Sequence, residues 1–299
     1  MSLLAPATPT RQRILTLMLA GLGTLVFWAL NLPLPFLFGP LSASLLAAML
    51  GARLRGFGQI SVGARTILGV AVGASVTPQL LGTLPQMAAS VALVPLYIAI
   101  IAVIGVPFFH RICGFDKATA WYAAMPGGLQ DMVIFGTEAG GDPRALSLIH
   151  ATRVLIVVSI APAILTLGMG AQLSNPIGAP AAELALSEMA LMVAAALIGW
   201  KGGERIGLFG ASILGPMIVT AALSLAGFIH VRPPAESILF AQFMIGIGIG
   251  VGYVGITMAE FRKDVLSGVA FVLVLAALAA AFTEIVVLLE LSALSLIPI

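Results

Sequence analysis

Residues 35–52 read PFLFGPLSASLLAAMLGA, an apolar run without one charged side chain. A helix needs about 20 such residues to cross the hydrocarbon of a bilayer, so a run of this kind sets the class of fold. Its Phe38-Gly39-Pro40-Leu41 returns as Leu214-Gly215-Pro216-Met217, 176 residues later. Downstream, Leu68-Gly69-Val70-Ala71-Val72-Gly73 returns as Ile245-Gly246-Ile247-Gly248-Ile249-Gly250, at an offset of 177. Two matches in the same order at nearly the same offset indicate a duplication, where either alone carries little. The copies span residues 14–169 and 184–299. The second is expected to be incomplete, because the sequence reaches Ile299 without another Pro-Gly-Gly element.

Composition agrees with the membrane reading. Of 299 residues, 60% are hydrophobic and only 9% are Asp, Glu, Lys or Arg, whereas a soluble domain carries about 25% charge. The net charge of +2 comes from basic residues set singly or in pairs beside apolar runs. That is a topology signal, and no basic patch suited to nucleic acid is present. A single cysteine, Cys113, excludes an internal disulfide. Arg11 and Arg13 precede the first apolar stretch as in a signal peptide, but further hydrophobic segments follow at once, so it reads as a retained first helix.

The apolar stretches fall near 14–31, 35–52, 66–82, 85–109, 118–138, 144–169, 184–200, 206–230, 236–258 and 265–289. They lack the alternation of a barrel strand, and only helices otherwise satisfy their own backbone in lipid. The expected fold is therefore an all-α polytopic membrane protein of nine or ten hydrophobic helical elements. Arg11 and Arg13 put the amino terminus in the cytoplasm, with Arg53, Arg55 and Arg65 in agreement if the first two segments cross. Full crossing by both the fifth and sixth segments would strand Lys201, Arg205, Arg262 and Lys263 outside. One broken or re-entrant element among the first six returns them inside and leaves Arg232 outside. The segment with Pro126-Gly127-Gly128 is the candidate, since proline lacks a donor and glycine weakens helix. An odd number of crossings between the copies then inverts the second. Inverted repeats with broken helices are a transporter plan; the plainer alternative is a duplication in which the glycines serve close helix packing.

The densest polar cluster is Ala124-Met125-Pro126-Gly127-Gly128-Leu129-Gln130-Asp131-Met132. Pro126, Gly127 and Gly128 open backbone groups inside protein, while Gln130 and Asp131 add polar side chains. Either this binds an ion or small polar solute, or it is a tight kink with Asp131 near the interface. Asp142 stands directly before Pro143, the pattern of a helix cap followed by proline at the first helical position. His150 and Arg153, three residues apart, share one face of an apolar helix. Arg153 must reach an interface, a polar cavity or an acid such as Asp131, as a structural pair or a functional one. Gly39, Pro40, Gly69, Gly73, Gly215, Pro216, Gly246 and Gly250 read as repeat and packing positions.

Signals for catalysis fail on context. Gly250-Val251-Gly252-Tyr253-Val254-Gly255 fits G-x-G-x-x-G but lacks alternating strands and helices and a downstream acid. There is no H-E-x-x-H, phosphate loop or nucleophile elbow. His110, His150 and His230 are too dispersed to specify a metal centre. No catalytic residue, metal or cofactor is expected.

The Phe-Gly-Pro start, the Gly69/Gly73 segment, the 124–132 run and Gly141-Asp142-Pro143 with His150 and Arg153 together resemble the AbrB family of bacterial inner-membrane proteins. The likeness covers roughly residues 30–295 and is stronger in the first half. The family typically has glutamate where this chain has Asp131, and often a second Pro-Gly-Gly-like element. Its members are labelled transcriptional regulators or ammonia monooxygenases. Neither label follows from the residues: the chain offers no domain to grip DNA, and three scattered histidines do not make an oxygenase centre. What the resemblance and the residues imply is a transporter-like protein for a small solute or ion, with a membrane sensor acting indirectly on gene expression as the alternative and a monooxygenase a distant third. The expected partners are the lipid bilayer, a solute, and a second copy or a regulatory membrane protein, without direct nucleic-acid contact.

Overall fold

A computed structural model describes residues 8–288 apart from 33, 81, 83–91, 164–178 and 209. The side chain of Gln130 and the end of the second copy, 289–299, lie outside that description. Among the described residues the regular structure is helical, without strands. The α-helices are α1 Pro9–Ala29, α2 Pro35–Met49, α3 Gln59–Gly73, α4 Val94–Pro107, α5 Lys117–Ala124, α6 Leu129–Glu138, α7 Pro143–Ala163, α8 Leu186–Arg205, α9 Ala211–Leu225, α10 Ala235–Val251 and α11 Met258–Leu288. The stretch read as a fifth segment is two helices, α5 and α6. The polar residues 260–264 lie in the first turns of α11.

Three stretches are long and apolar enough to cross a membrane: Pro9–Ala29, Val94–Ile112, which extends α4 through a π-helical turn, and Met258–Glu284. The helices α2, α3, α9 and α10 are shorter and also apolar. Of these, α2 and α9 carry no charged residue, unlike a helix on a water-exposed surface, which keeps a polar face. The fold is that of an all-α polytopic membrane protein.

The chain forms two compact units, Met1–Thr77 with Pro162–Met258, and Pro78–Ala161 with Ala259–Ile299. Each draws on both sequence copies, so the copies interleave.

In the first unit α1, α2 and α3 of one copy meet their counterparts α8, α9 and α10. A methyl group added to Gly23 would stand 2.2 Å from the carbonyl oxygen of Gly39, and one added to Gly199 would stand 2.4 Å from the carbonyl carbon of Gly215. Both pairs of helices therefore touch backbone to backbone, which only glycine permits. The third helices cross over. Gly69 lies against the Ile213 carbonyl and Gly73 against Thr220, while Gly246 lies against the Leu37 carbonyl and Gly250 against Ser44. Each of these residues has its counterpart 176 or 177 positions away. Exchanging the copies leaves the contacts unchanged, as a two-fold relation requires. Even the helix starts correspond: Leu34 before α2 and Gly210 before α9 are both left-handed, at φ 48° and 62°.

Register fixes direction. Contacts advance from Ile213 to Met217 and Thr220 as α3 advances from Gly69 to Gly73, so α3 and α9 run parallel. The start of α3 at Ser61 and the later part of α2 at Ser44 both adjoin the carboxyl end of α10, at Gly248 and Gly250. Thus α3 begins at the level where α2 ends and runs back. Its parallel companion α9, the copy of α2, runs opposite to α2. Within this unit the matching helices of the two sequence copies run in opposite directions.

The same packing sorts charge. The Arg55 amide donates to Thr16 Oγ1 at 3.1 Å, bringing the loop after α2 to the amino end of α1. Gly63 adjoins the Trp200 ring, bringing the start of α3 to the carboxyl end of α8. Arg11, Arg13, Arg53, Arg55, Lys201 and Arg205 therefore collect at one end of this unit. Arg232 stands at the other, near His230 and Glu188, which are paired at 3.1 Å.

In the second unit, Ile101, Phe109, Ala120, Ala124, Leu146, Ile149 and Phe271 form one buried cluster. Phe109 and Phe271 meet edge to face with centroids 4.8 Å apart, a favoured aromatic geometry. Gly105 on α4 gives way to Phe271 and Ala124, and Gly136 on α6 gives way to Leu146 and Tyr122. These contacts hold α5, α6 and α7 around a gap in the helical backbone.

Candidate functional site

That gap is Met125–Gly128. A residue before proline is pushed out of the α region by the ring, and Met125 is extended at ψ 139°, with Gly128 extended at ψ 142°. Ending α5 there leaves its last carbonyl oxygens without intrahelical donors, a serious cost in an apolar setting. Two side chains of α7 supply the donors. His150 Nε2 lies 2.9 Å from the Tyr122 carbonyl oxygen. Arg153 donates from Nη1 to the Met125 oxygen and from Nη2 to the Gly127 oxygen, each at 3.1 Å.

The two are also joined to each other, with Arg153 Nη2 at 2.6 Å from His150 Nδ1. Guanidinium only donates, so Nδ1 accepts, and the ring hydrogen sits on Nε2 and is given to Tyr122. The geometry sets a neutral imidazole in one tautomer. Both residues are buried, His150 at 0% and Arg153 at 8% exposure.

Beside the break lies a cavity of about 450 Å³. Pro126, Gly127 and Arg153 form its polar side, with Tyr97; Ile101, Val154, Val157, Val272, Leu275, Ala276 and Ala279 form its apolar walls. Of the site residues read from sequence, Pro126, Gly127, His150 and Arg153 thus come together. Gly128 precedes α6, and Asp131 lies half-buried in its first turn, with Oδ2 turned toward Gly128. An acid there faces the positive end of the helix dipole. The packing positions Gly39, Pro40, Gly69, Gly73, Gly215, Pro216, Gly246 and Gly250 all belong to the first unit and line its helix contacts.

A second set of bonds fixes the far ends of α5 and α7. Asp142 Oδ1 accepts from the amides of Arg144 at 2.9 Å and Ala145 at 3.5 Å, with Pro143 in the first helical position. The Asp142 amide donates to Thr119 Oγ1 at 2.8 Å. Thr119 in turn gives its hydroxyl to Asp116, whose carboxylate also takes the Thr119 amide at 2.9 Å. Burial works against the ionised form of Asp116, but these donors outweigh it and hold the carboxyl below its ordinary range. The caps of α5 and α7 are thus one network.

Sequence reasoning missed the cavity's other walls. Tyr97 on α4 and Leu275 and Ala276 on α11 are apolar or aromatic residues far away in the chain, without a local signal. It also missed Asp264, which is only 4% exposed and has Asp142 and Lys263 among its charged neighbours.

An all-helical membrane protein with inverted repeats and one helix broken beside a cavity is the class that fold and site define. The chain belongs to the AbrB family: the family described as "Transition state regulatory protein AbrB" matches residues 36–297. A protein of Escherichia coli (strain K12) named "Putative regulator AbrB" is 26% identical over 249 residues, covering 82% of this chain and 71% of that protein. No solved structure matches the chain.

Proposed function

We propose that the protein is a transporter-like membrane protein that takes a small solute or ion into the cavity at the helix break, and that it is not an enzyme. The observation that carries this is Arg153, a buried cation lining a cavity of about 450 Å³ beside the Pro126–Gly127 break. Intramembrane charge is costly and marks solute pathways, and broken helices beside a cavity are how transporters present backbone to a substrate. The inverted copies in the first unit belong to the same plan. The proposed setting is the bacterial inner membrane, with the basic end of the first unit and the amino terminus on the cytoplasmic side, and with a second copy or a regulatory membrane protein as a partner. No direct contact with nucleic acid is proposed.

A sensor that controls gene expression indirectly is the second reading, favoured by the word "regulator" in the name of the Escherichia coli relative. Flux in proteoliposomes separates the two. Uptake that falls in a variant with the cavity filled supports transport. Solute binding without flux supports the sensor, and neither binding nor flux overturns both.

A further inference from the structure

The chemistry of the cavity narrows its occupant. Arg153 has five N–H donors, and the described partners take three: two on Nη2 and one on Nη1. Those partners are two carbonyl oxygens and a neutral imidazole, which solvate the guanidinium without cancelling its charge. One Nη1 hydrogen and the Nε hydrogen remain for a further acceptor. A full positive charge buried at 8% exposure favours an anion strongly, because little solvent screens it. No basic neighbour joins Arg153 among the described residues lining the cavity, so those residues balance one negative charge rather than two or three. The rest of the lining is Tyr97 and aliphatic side chains. Such walls reject a fully hydrated inorganic ion and accept an apolar body. The volume is at the small end of pockets that hold organic ligands, about 300–1,000 Å³.

Resting on the solute-binding reading above, we infer that the site takes a monoanion with an apolar body, its carboxylate or equivalent group on Arg153 at the Pro126–Gly127 break and its body among Val154, Val157, Val272 and Leu275. Such a molecule can be a soluble aromatic or aliphatic carboxylate, or an anionic lipid reaching in from the bilayer.

The test uses the full chain in nanodiscs of phosphatidylcholine, with benzoate, benzamide and benzylammonium as matched anionic, neutral and cationic probes. Benzoate should raise the unfolding temperature by about 3 °C or more at saturation, with the other two near zero. Equal shifts from benzamide or benzylammonium overturn the anion assignment and leave the solute-binding reading standing. No shift from any probe, together with none from added phosphatidylglycerol, overturns both. Stabilisation by phosphatidylglycerol that excludes benzoate identifies the lipid as source, whereas a benzoate shift indifferent to phosphatidylglycerol identifies the soluble acid.

Two variants locate the binding. Ala276→Phe fills the cavity from α11 without touching the helix break, and should weaken benzoate about tenfold or more while the apo protein unfolds as before. Arg153→Gln should weaken benzoate by at least as much, from a lower starting unfolding temperature because it also loses bonds at the helix break, provided that it elutes as the wild type does in size exclusion. Undiminished benzoate binding by Ala276→Phe places the anion elsewhere and overturns the assignment.

Discussion

Arg153 donates from Nη2 to Nδ1 of His150 at 2.6 Å, and between them they take up the carbonyl oxygens of Tyr122, Met125 and Gly127. This makes the pair the carboxyl-terminal cap of α5 as well as the polar side of the cavity. Arg153→Met leaves two carbonyl oxygens and an imidazole nitrogen buried without donors, and should cost about 3 kcal/mol or more. His150→Ala should cost about 1–3 kcal/mol. Because they share one network, the double variant should cost less than the sum by about 1 kcal/mol or more. Thermal unfolding in detergent measures all three. Strict additivity would mean that the two side chains act separately.

The reciprocal glycines make a paired prediction. Gly23→Ala and Gly199→Ala each push a methyl group into the backbone of the neighbouring helix, and each should cost about 1–3 kcal/mol. Gly21 and Gly202 sit on the same two helices with nothing within 4 Å of an added methyl. Alanine at either should be neutral or should stabilise by up to about 1 kcal/mol, through helix propensity. Similar losses at Gly23 and Gly199, against no loss at the controls, are what a two-fold relation requires. A large loss in one copy and none in the other would break it.

A third prediction concerns the bonds that lock α5 to α7. Asp142→Ala removes an acceptor from two amides of α7 and should cost about 1 kcal/mol, in the range 0.5–2, with Asp142→Asn recovering most of it. Thr119→Val should cost as much or more, because its hydroxyl accepts from the Asp142 amide and donates to Asp116. Hydrogen exchange is the sharper readout. Both variants should raise exchange in the first turn of α7, and an effect confined to α5 would argue that the two caps are independent.

The helix contacts were legible in part because the paired short motifs at one offset drew attention to their glycines, and those glycines are the residues at the contacts. The break was legible at Pro126, since proline constrains the residue before it wherever it occurs. Arg153 was recognisable as a problem to be solved, a charge on an apolar helix, but the solution was not. An acid such as Asp131 was one candidate partner, and the structure supplies backbone carbonyl oxygens and His150 instead. Backbone acceptors carry no sequence signature. Tyr97, Leu275 and Ala276 were invisible for a different reason: apolar residues on apolar helices look alike until packing decides which of them face a cavity. The interleaving of the copies into two units was likewise beyond reach, because the sequence orders the helices without pairing them.

The direction of the repeats yields the last prediction. With Cys113 replaced by serine, a single cysteine is placed at Gln12, Glu204 or Arg232. Gln12 lies on the first turn of α1 and Glu204 on the last turn of α8, helices that are copies of one another. If the copies pointed the same way, these two ends would face opposite sides of the membrane. In the inverted arrangement they share a side, with Arg232 across from them. Replacing Glu204 removes only an exposed pair with Lys201 at 2.9 Å, which contributes little to stability. A membrane-impermeant maleimide added to intact cells should label the Arg232→Cys variant, and should reach the Gln12→Cys and Glu204→Cys variants only after the membrane is opened. Labelling of all but Arg232→Cys in intact cells would keep the inversion and reverse the proposed orientation. Labelling of Gln12→Cys and Glu204→Cys from opposite sides would refute the inversion itself, and with it the two-fold exchange that the glycine contacts describe.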